Sequence, residues 1–416
     1  MPLLKHPFRC LILIAVLVFG LPWVVRGEQA PAGSKAVSQS QPIEIGGEPL
    51  VVLQRPRSDD QNKPQFLEAT VLPGRGMAVL QIKAYIPGKG EINLLNSPSL
   101  LEAEHMLDKG DDQFGNQVFK LGGAILLPFA NRIRGKVSAD GKTITATVAG
   151  KTITLPANWS GDNPGAQKHA IHGLMLNSKF VSVISDNGPQ KSTVTASLHA
   201  GNFGGHWFSG SYVRVEVTLT NDEFDMLVSV RNGGREPLPM GIGWHPYFVL
   251  PSGDRQQVRL HLPSETRAIM NNYDDSFVTG KRVPVKDTPY DFSAPGGRAL
   301  GTQYLDDNFS DLIPGPDGST VSEIIDPAAE YGLELTALAP NIKSIQVYAP
   351  PSKSFIAIEP QFNLPDPYSK GWGNTDTGMV LLRPGQAVSW RVRLRLFTPG
   401  KQVSYASSYD QDPQEA

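Results

Sequence analysis

The chain has 416 residues, 40% of them hydrophobic, and a net charge of −2 at pH 7, which is length enough to bury a sizeable core. That near-neutral balance gives no electrostatic footprint for nucleic acid or for an anionic membrane surface. The single cysteine, Cys10, sits at the very start, so the remainder has no disulfide, no thiolate nucleophile and no cysteine-based metal site.

In chain order, residues 1–27 read as a secretory signal. Met1–Cys10 carries Lys5 and Arg9 and no acid, Leu11–Val25 is an almost unbroken apolar run, and small residues follow at Val25 and Gly27. The run is shorter than the roughly 20 residues of a spanning helix, and an uncleaved anchor is the alternative reading. Removing Lys5, Arg9 and Arg26 from a net charge of −2 leaves −5. Residues 28–41, rich in Ala, Ser, Gln and Gly, read as a linker. Residues 42–399 show no composition break and no internal repeat, and read as one domain. Residues 400–416 read as a flexible polar tail. The expected location is the periplasm or the exterior, without membrane contact after cleavage.

The body is dominated by period-2 segments. Thr143–Val148, Thr193–Leu198, Tyr212–Leu219, Asp225–Val230, Val258–Leu262, Phe355–Ile358 and Val388–Phe397 alternate apolar and polar residues. This is the pattern of half-buried antiparallel strands. Turn chemistry at Ala139-Asp-Gly141, Thr220-Asn-Asp222 and Arg231-Asn-Gly-Gly234 separates them. The expected fold is all-β, a large antiparallel β-sandwich.

Four polar, aromatic clusters punctuate this body. In Leu127–Gly135, Arg132 and Arg134 alternate with Ile133. The Arg forks beside the Asn131 amide suit several hydroxyls, and a solvated strand edge is the other reading. In His169–Leu174, His172 precedes Gly173, which allows close approach to a ligand oxygen. The His169/His172 spacing without a matching Glu pattern argues against a metal. Gly241–Phe248 places His245 between Trp244 and Pro246, with Tyr247 next. Aromatic faces stack on sugar rings, yet for a lone histidine the favoured reading is a satisfied core residue, with Trp244, Tyr247 and Phe248 in the core beside it. In Ile342–Gln361, Glu359 ends an apolar strand, where a carboxylate is costly unless partnered. Either function or a structural ion pair explains it.

In this order the motifs resemble the aldose 1-epimerase (mutarotase) family. Asn131-Arg132-Ile133 is similar to its NRI signature, Ile171-His172-Gly173 to its HG element, and His245-Pro-Tyr-Phe248 to its second-histidine motif. Leu305-Asp306-Asp307-Asn308-Phe309 is similar to its DHNF segment, with Asp307 in place of the histidine. Gln346-Val-Tyr348, Ile358-Glu359-Pro-Gln361 and Leu381–Gly385 complete the series. The likeness spans Glu44 to Phe397, and the Gly-Trp-His-Pro-Tyr-Phe form resembles a divergent branch of the family.

The resemblance implies a galactose mutarotase-like sandwich with an open cleft, Glu359 as general base and His245 as general acid. Asn131, Arg132, His172 and Asp306 would hold substrate, with Trp244 and Tyr247 as a stacking wall. The implied activity interconverts the α and β anomers of an aldose by ring opening and reclosure. It needs neither cofactor nor metal, and its partner is a monosaccharide or the sugar end of a glycan. A non-catalytic carbohydrate-binding sandwich, or a polysaccharide lyase or hydrolase, are the alternatives.

Overall fold

The computed structural model describes residues 44–108, 112, 114–208 and 210–400; the signal-type segment 1–27, the linker 28–41 and nearly all of the tail 400–416 lie outside these. Two large antiparallel sheets carry the fold. The nine-stranded sheet is built around Ser211–Leu219, Glu223–Asn232 and Ala387–Phe397. In Ala387–Phe397 the inward Val388, Trp390, Val392 and Leu394 are buried, and the intervening residues reach outward. There Arg391 and Arg393 pair with Asp225 on the neighbouring strand at 2.9 and 3.2 Å. The sequence alternation is therefore the two-faced character of this sheet: apolar toward the core, ion-paired toward water.

The eleven-stranded sheet runs, from one edge, through Val278–Pro284, Ser264–Met270, Leu305–Leu312, Ser344–Ala349, Phe355–Gln361, Gly243–Val249 and Gly123–Leu126 to Ala78–Ile86 and beyond. Its central strands are buried on both faces: six of the eight residues in Leu305–Leu312, and all but the first of Phe355–Gln361. One face packs on the nine-stranded sheet. Trp244 stacks there on Phe224 of the other sheet, 5.9 Å between ring centroids, and the indole of Trp390 donates to the Pro360 carbonyl at 3.2 Å. Fully buried aromatic side chains of this size each contribute several kcal/mol at about 25 cal/mol per Å². The other face is covered by loops, and between those loops lies a cleft.

Candidate active site

The floor of the cleft comes from two adjacent strands. Gly243 faces Gln361 and Tyr247 faces Ala357 in the ladder, so His245 and Glu359 lie opposite each other. Side chains alternate along a strand, which sends His245 and Tyr247 to the cleft face and Trp244 to the core face. His245 Nε2 lies 3.1 Å from Glu359 Oε1. Gln361, two residues on and on the same face, donates from Nε2 to Glu359 Oε2 at 2.9 Å.

One wall is a chain of amides and charges. Arg132 Nη1 donates to Asn131 Oδ1 at 3.0 Å, and Asn131 Nδ2 donates to Gln346 Oε1 at 3.1 Å. Gln346 Nε2 donates to Asp306 Oδ1 at 2.7 Å, and Ser276 Oγ donates to Asp306 Oδ2. Arg132 Nη2 closes the circuit 3.8 Å from Asp306 Oδ2. Local backbone geometry serves this wall. Asn131 and His172 both have left-handed φ, +60° and +61°, at the end of a short ribbon pairing Arg132 with Ile171. The His172 amide donates to the Asn131 carbonyl at 2.9 Å. Such strained residues cluster where a side chain must be aimed. Gly173 is required as well: a Cβ there would sit 2.2 Å from the Leu127 carbonyl oxygen.

The opposite wall is aromatic. Phe119 lies against the rings of His172 and His245 at 4.9 and 5.2 Å, with Trp159 edge-on to it at 5.7 Å. Tyr273, Tyr304 and Tyr348 also line the cleft, which encloses about 330 Å³. A larger groove of about 530 Å³ lies beside Arg282, Asp311, Lys343 and Asp376. Its Arg282–Asp311 pair is exposed, and no buried acid–base pair lines it, so the smaller cleft is the candidate site.

Burial sets the electrostatics. Desolvation pushes Glu359 well above the usual carboxylate range, helped by the charge of Asp306 and opposed by Arg132 and Gln361. It pulls His245 down to about 3, with Arg132 adding to the effect, and holds His172 well below its ordinary value with His245 beside it. Both members of the floor pair therefore resist ionisation, the carboxyl favouring its protonated form and the imidazole its neutral one. Tyr247 is pushed up by burial and by Glu359. Among the described residues no group of three or more His, Cys, Asp or Glu is arranged to hold a metal ion.

The cleft brings together His245, Glu359, Asn131, Arg132, His172, Tyr247 and Asp306. Trp244 is a correction. It is fully buried on the core face of its strand and cannot form a stacking wall; the aromatic rings that line the cleft there are Phe119 and Trp159. Arg134 also leaves the cleft, with Nε on Asp366 Oδ2 at 2.7 Å. His169 turns its ring edge to Phe277 and its Nδ1 to the Gln167 carbonyl. Sequence reasoning missed Phe119, Trp159, Ser276 and Tyr304 as cleft residues. Gln346 and Tyr348 carried a legible signal, since two strand positions apart they share a face.

A sequence model of the family described as Aldose 1-epimerase matches residues 95–395. The uncharacterized protein YphB of Escherichia coli (strain K12) is 25% identical over 184 residues, or 43% of this chain and 57% of that protein. The matched segment thus spans little more than half of that relative. Among solved structures, a galactose mutarotase-like protein from Clostridium acetobutylicum is 19% identical with a TM-score of 0.63, covering 84% of this chain and 99% of that one. The galactose 1-epimerase from Lactobacillus acidophilus NCFM is 16% identical with a TM-score of 0.55, covering 84% and 99%. These likenesses show the fold, a galactose mutarotase-like antiparallel sandwich. With the family model matching well over half of its length, the chain belongs to the aldose 1-epimerase family.

Proposed function

We propose that the cleft binds an aldose and interconverts its α and β anomers. The observation that carries this reading is the His245–Glu359 pair, 3.1 Å apart at a buried floor between a hydroxyl-binding wall and an aromatic one. Family membership supports a sugar substrate and isomerase-type chemistry.

The reaction balances within the pair. Glu359 takes the proton of the anomeric hydroxyl and His245 gives its proton to the ring oxygen. The C1–O5 bond breaks as the C1 carbonyl forms. Rotation about C1–C2 presents the other face of the aldehyde, and the same two transfers run backward to close the ring. A pair that holds one proton on two adjacent bases supplies both transfers without uptake from solvent, each typically worth about 10²–10⁴-fold. Burial biases the resting proton toward Glu359, and the 3.1 Å contact lets it pass to His245. The Asp306–Gln346–Asn131–Arg132 circuit holds the remaining hydroxyls, and Phe119 offers a ring face to the sugar. The charged start and apolar run of residues 1–27 support export, so the sugar would be met in the periplasm or outside the cell.

The test is polarimetry on freshly dissolved α-D-glucose and α-D-galactose. Acceleration by the wild-type chain and not by Glu359→Gln is expected. Equal rates for the two proteins, over a panel of hexoses and pentoses, would sink the reading.

A further inference from the structure

Two buried amides, Gln361 and Asn363, follow Glu359 at alternate positions, and neither lines the cleft. The backbone uses Asn363 completely. Its Oδ1 accepts from the Ala130 amide at 3.0 Å, and its Nδ2 donates to the Ala130 and Leu364 carbonyls at 2.9 and 3.0 Å. That is how a structural amide is satisfied. Gln361 is different: its Nε2 donates to Glu359 Oε2 at 2.9 Å, while its Oε1 is buried without a partner. A buried acceptor left unpaired costs stability, so the fold alone does not account for this side chain. Space is kept for it even so. Gly243 faces Gln361 across the ladder, and a Cβ on Gly243 would lie 3.1 Å from Gln361 Cγ.

The two oxygens of Glu359 thus face different groups. Oε1 lies 3.1 Å from His245 Nε2, and Oε2 accepts from Gln361. Burial favours the protonated carboxyl and the neutral imidazole. A neutral carboxyl holds its proton on one oxygen, and the other, the carbonyl oxygen, is the better acceptor. The Gln361 donor therefore makes Oε2 the carbonyl. Oε1 is left as the hydroxyl, beside the histidine nitrogen that can accept its hydrogen.

We infer that Gln361 is a positioning residue that places the carboxyl proton of Glu359 on Oε1, facing His245 Nε2. Its effect on rate rests on the anomer-interconverting reading; the site of the proton does not.

The experiment pairs infrared spectroscopy with polarimetry on the full chain. Subtracting the Glu359→Gln spectrum from that of the wild type isolates the carboxyl C=O band of Glu359. That band is expected at the lowered wavenumber of a hydrogen-bonded carbonyl, and it should rise in Gln361→Met, which keeps the volume and removes the donor. On freshly dissolved α-D-glucose and α-D-galactose, Gln361→Met should lower kcat about tenfold, the scale of one hydrogen bond, and leave KM unchanged. Thermal unfolding curves show whether the variant is folded. A wild-type band at the wavenumber of a free carbonyl, or no protonated-carboxyl band from Glu359, overturns the inference whether or not the variant folds. So does a folded Gln361→Met with an unmoved band or an unchanged kcat, or a loss carried by KM. A band that shifts as expected in a protein that accelerates mutarotation of no sugar would overturn the proposed activity and leave the proton placement standing.

Discussion

His245 and Glu359 face each other across two neighbouring antiparallel strands, with Nε2 and Oε1 3.1 Å apart. Their separation is set by strand register rather than by a loop, and the supporting Gln361 sits on the same strand face as Glu359. A site mounted on regular elements keeps its geometry when one side chain is trimmed.

Single substitutions at the pair should therefore act on chemistry and leave the fold in place. Glu359→Gln and His245→Asn are each expected to lower kcat for mutarotation by about 10²–10⁴-fold. The double variant should be little worse than either single one, because the two transfers act as a unit. Polarimetric rates beside thermal unfolding curves check this. Strictly multiplicative losses would show two independent contributions instead of one coupled pair.

The pH profile carries a second signature. The active form of the pair holds one proton. Below the value near 3 to which burial pulls His245, a second proton is added and activity falls. Above the raised value of Glu359 the only proton is lost and activity falls again. Between those limits kcat/KM should be flat, with no inflection near 6.5, the ordinary value for histidine. An acid limb centred near 6.5 would mean that His245 titrates as a solvated imidazole and that its buried setting does not govern the reaction.

How much of this was legible in the sequence follows from which faces of each sheet are covered. Tyr212–Leu219 and Val388–Phe397 alternate cleanly because their sheet has one wet face, and both emerge as strands. Leu305–Leu312 has no such rhythm, since loops bury its second face, and only its motif drew attention to it. Asp306, His245 and Glu359 are legible because each sits in a short motif that resembles one of the family's. Trp244 was misread for a physical reason: on a strand, the residue beside His245 in sequence points to the opposite side of the sheet. Phe119, Trp159 and Ser276 reach the cleft from loops, where no periodicity records the direction of a side chain.

Two tryptophans, Trp244 in the core and Trp159 at the cleft, should separate stability from binding. Trp244 is fully buried against Phe224 and Phe248, so Trp244→Ala should cost about 3–5 kcal/mol in stability. Trp159 is half-buried on Phe119 at the cleft, so Trp159→Ala should raise KM with a smaller change in unfolding midpoint. Urea unfolding paired with initial rates on both variants tests the contrast. A KM effect from the milder Trp244→Phe at unchanged stability would return Trp244 to the binding surface.

Ser276 gives the sharpest test of the polar wall. It is 1% exposed, has a left-handed φ of +50°, and donates its hydroxyl to Asp306. Its neighbour Tyr273 donates to Asp307 at 3.0 Å, and Arg267 Nη1 lies 2.8 Å from the same carboxylate, which burial pushes up to about 6. The loop is thus anchored at both acids. Ser276→Gly removes the hydroxyl while favouring the backbone, because glycine adopts positive φ without a Cβ clash. Asp306 would keep Gln346 but lose one donor, leaving it less well oriented toward a sugar hydroxyl. A hydrogen bond of this kind is worth about 0.5–1.5 kcal/mol, so KM should rise roughly three- to tenfold. The unfolding midpoint should hardly move, since the lost bond and the relieved strain oppose each other. A lowered midpoint with unchanged KM would instead make Ser276 a structural peg, with no part in holding the sugar.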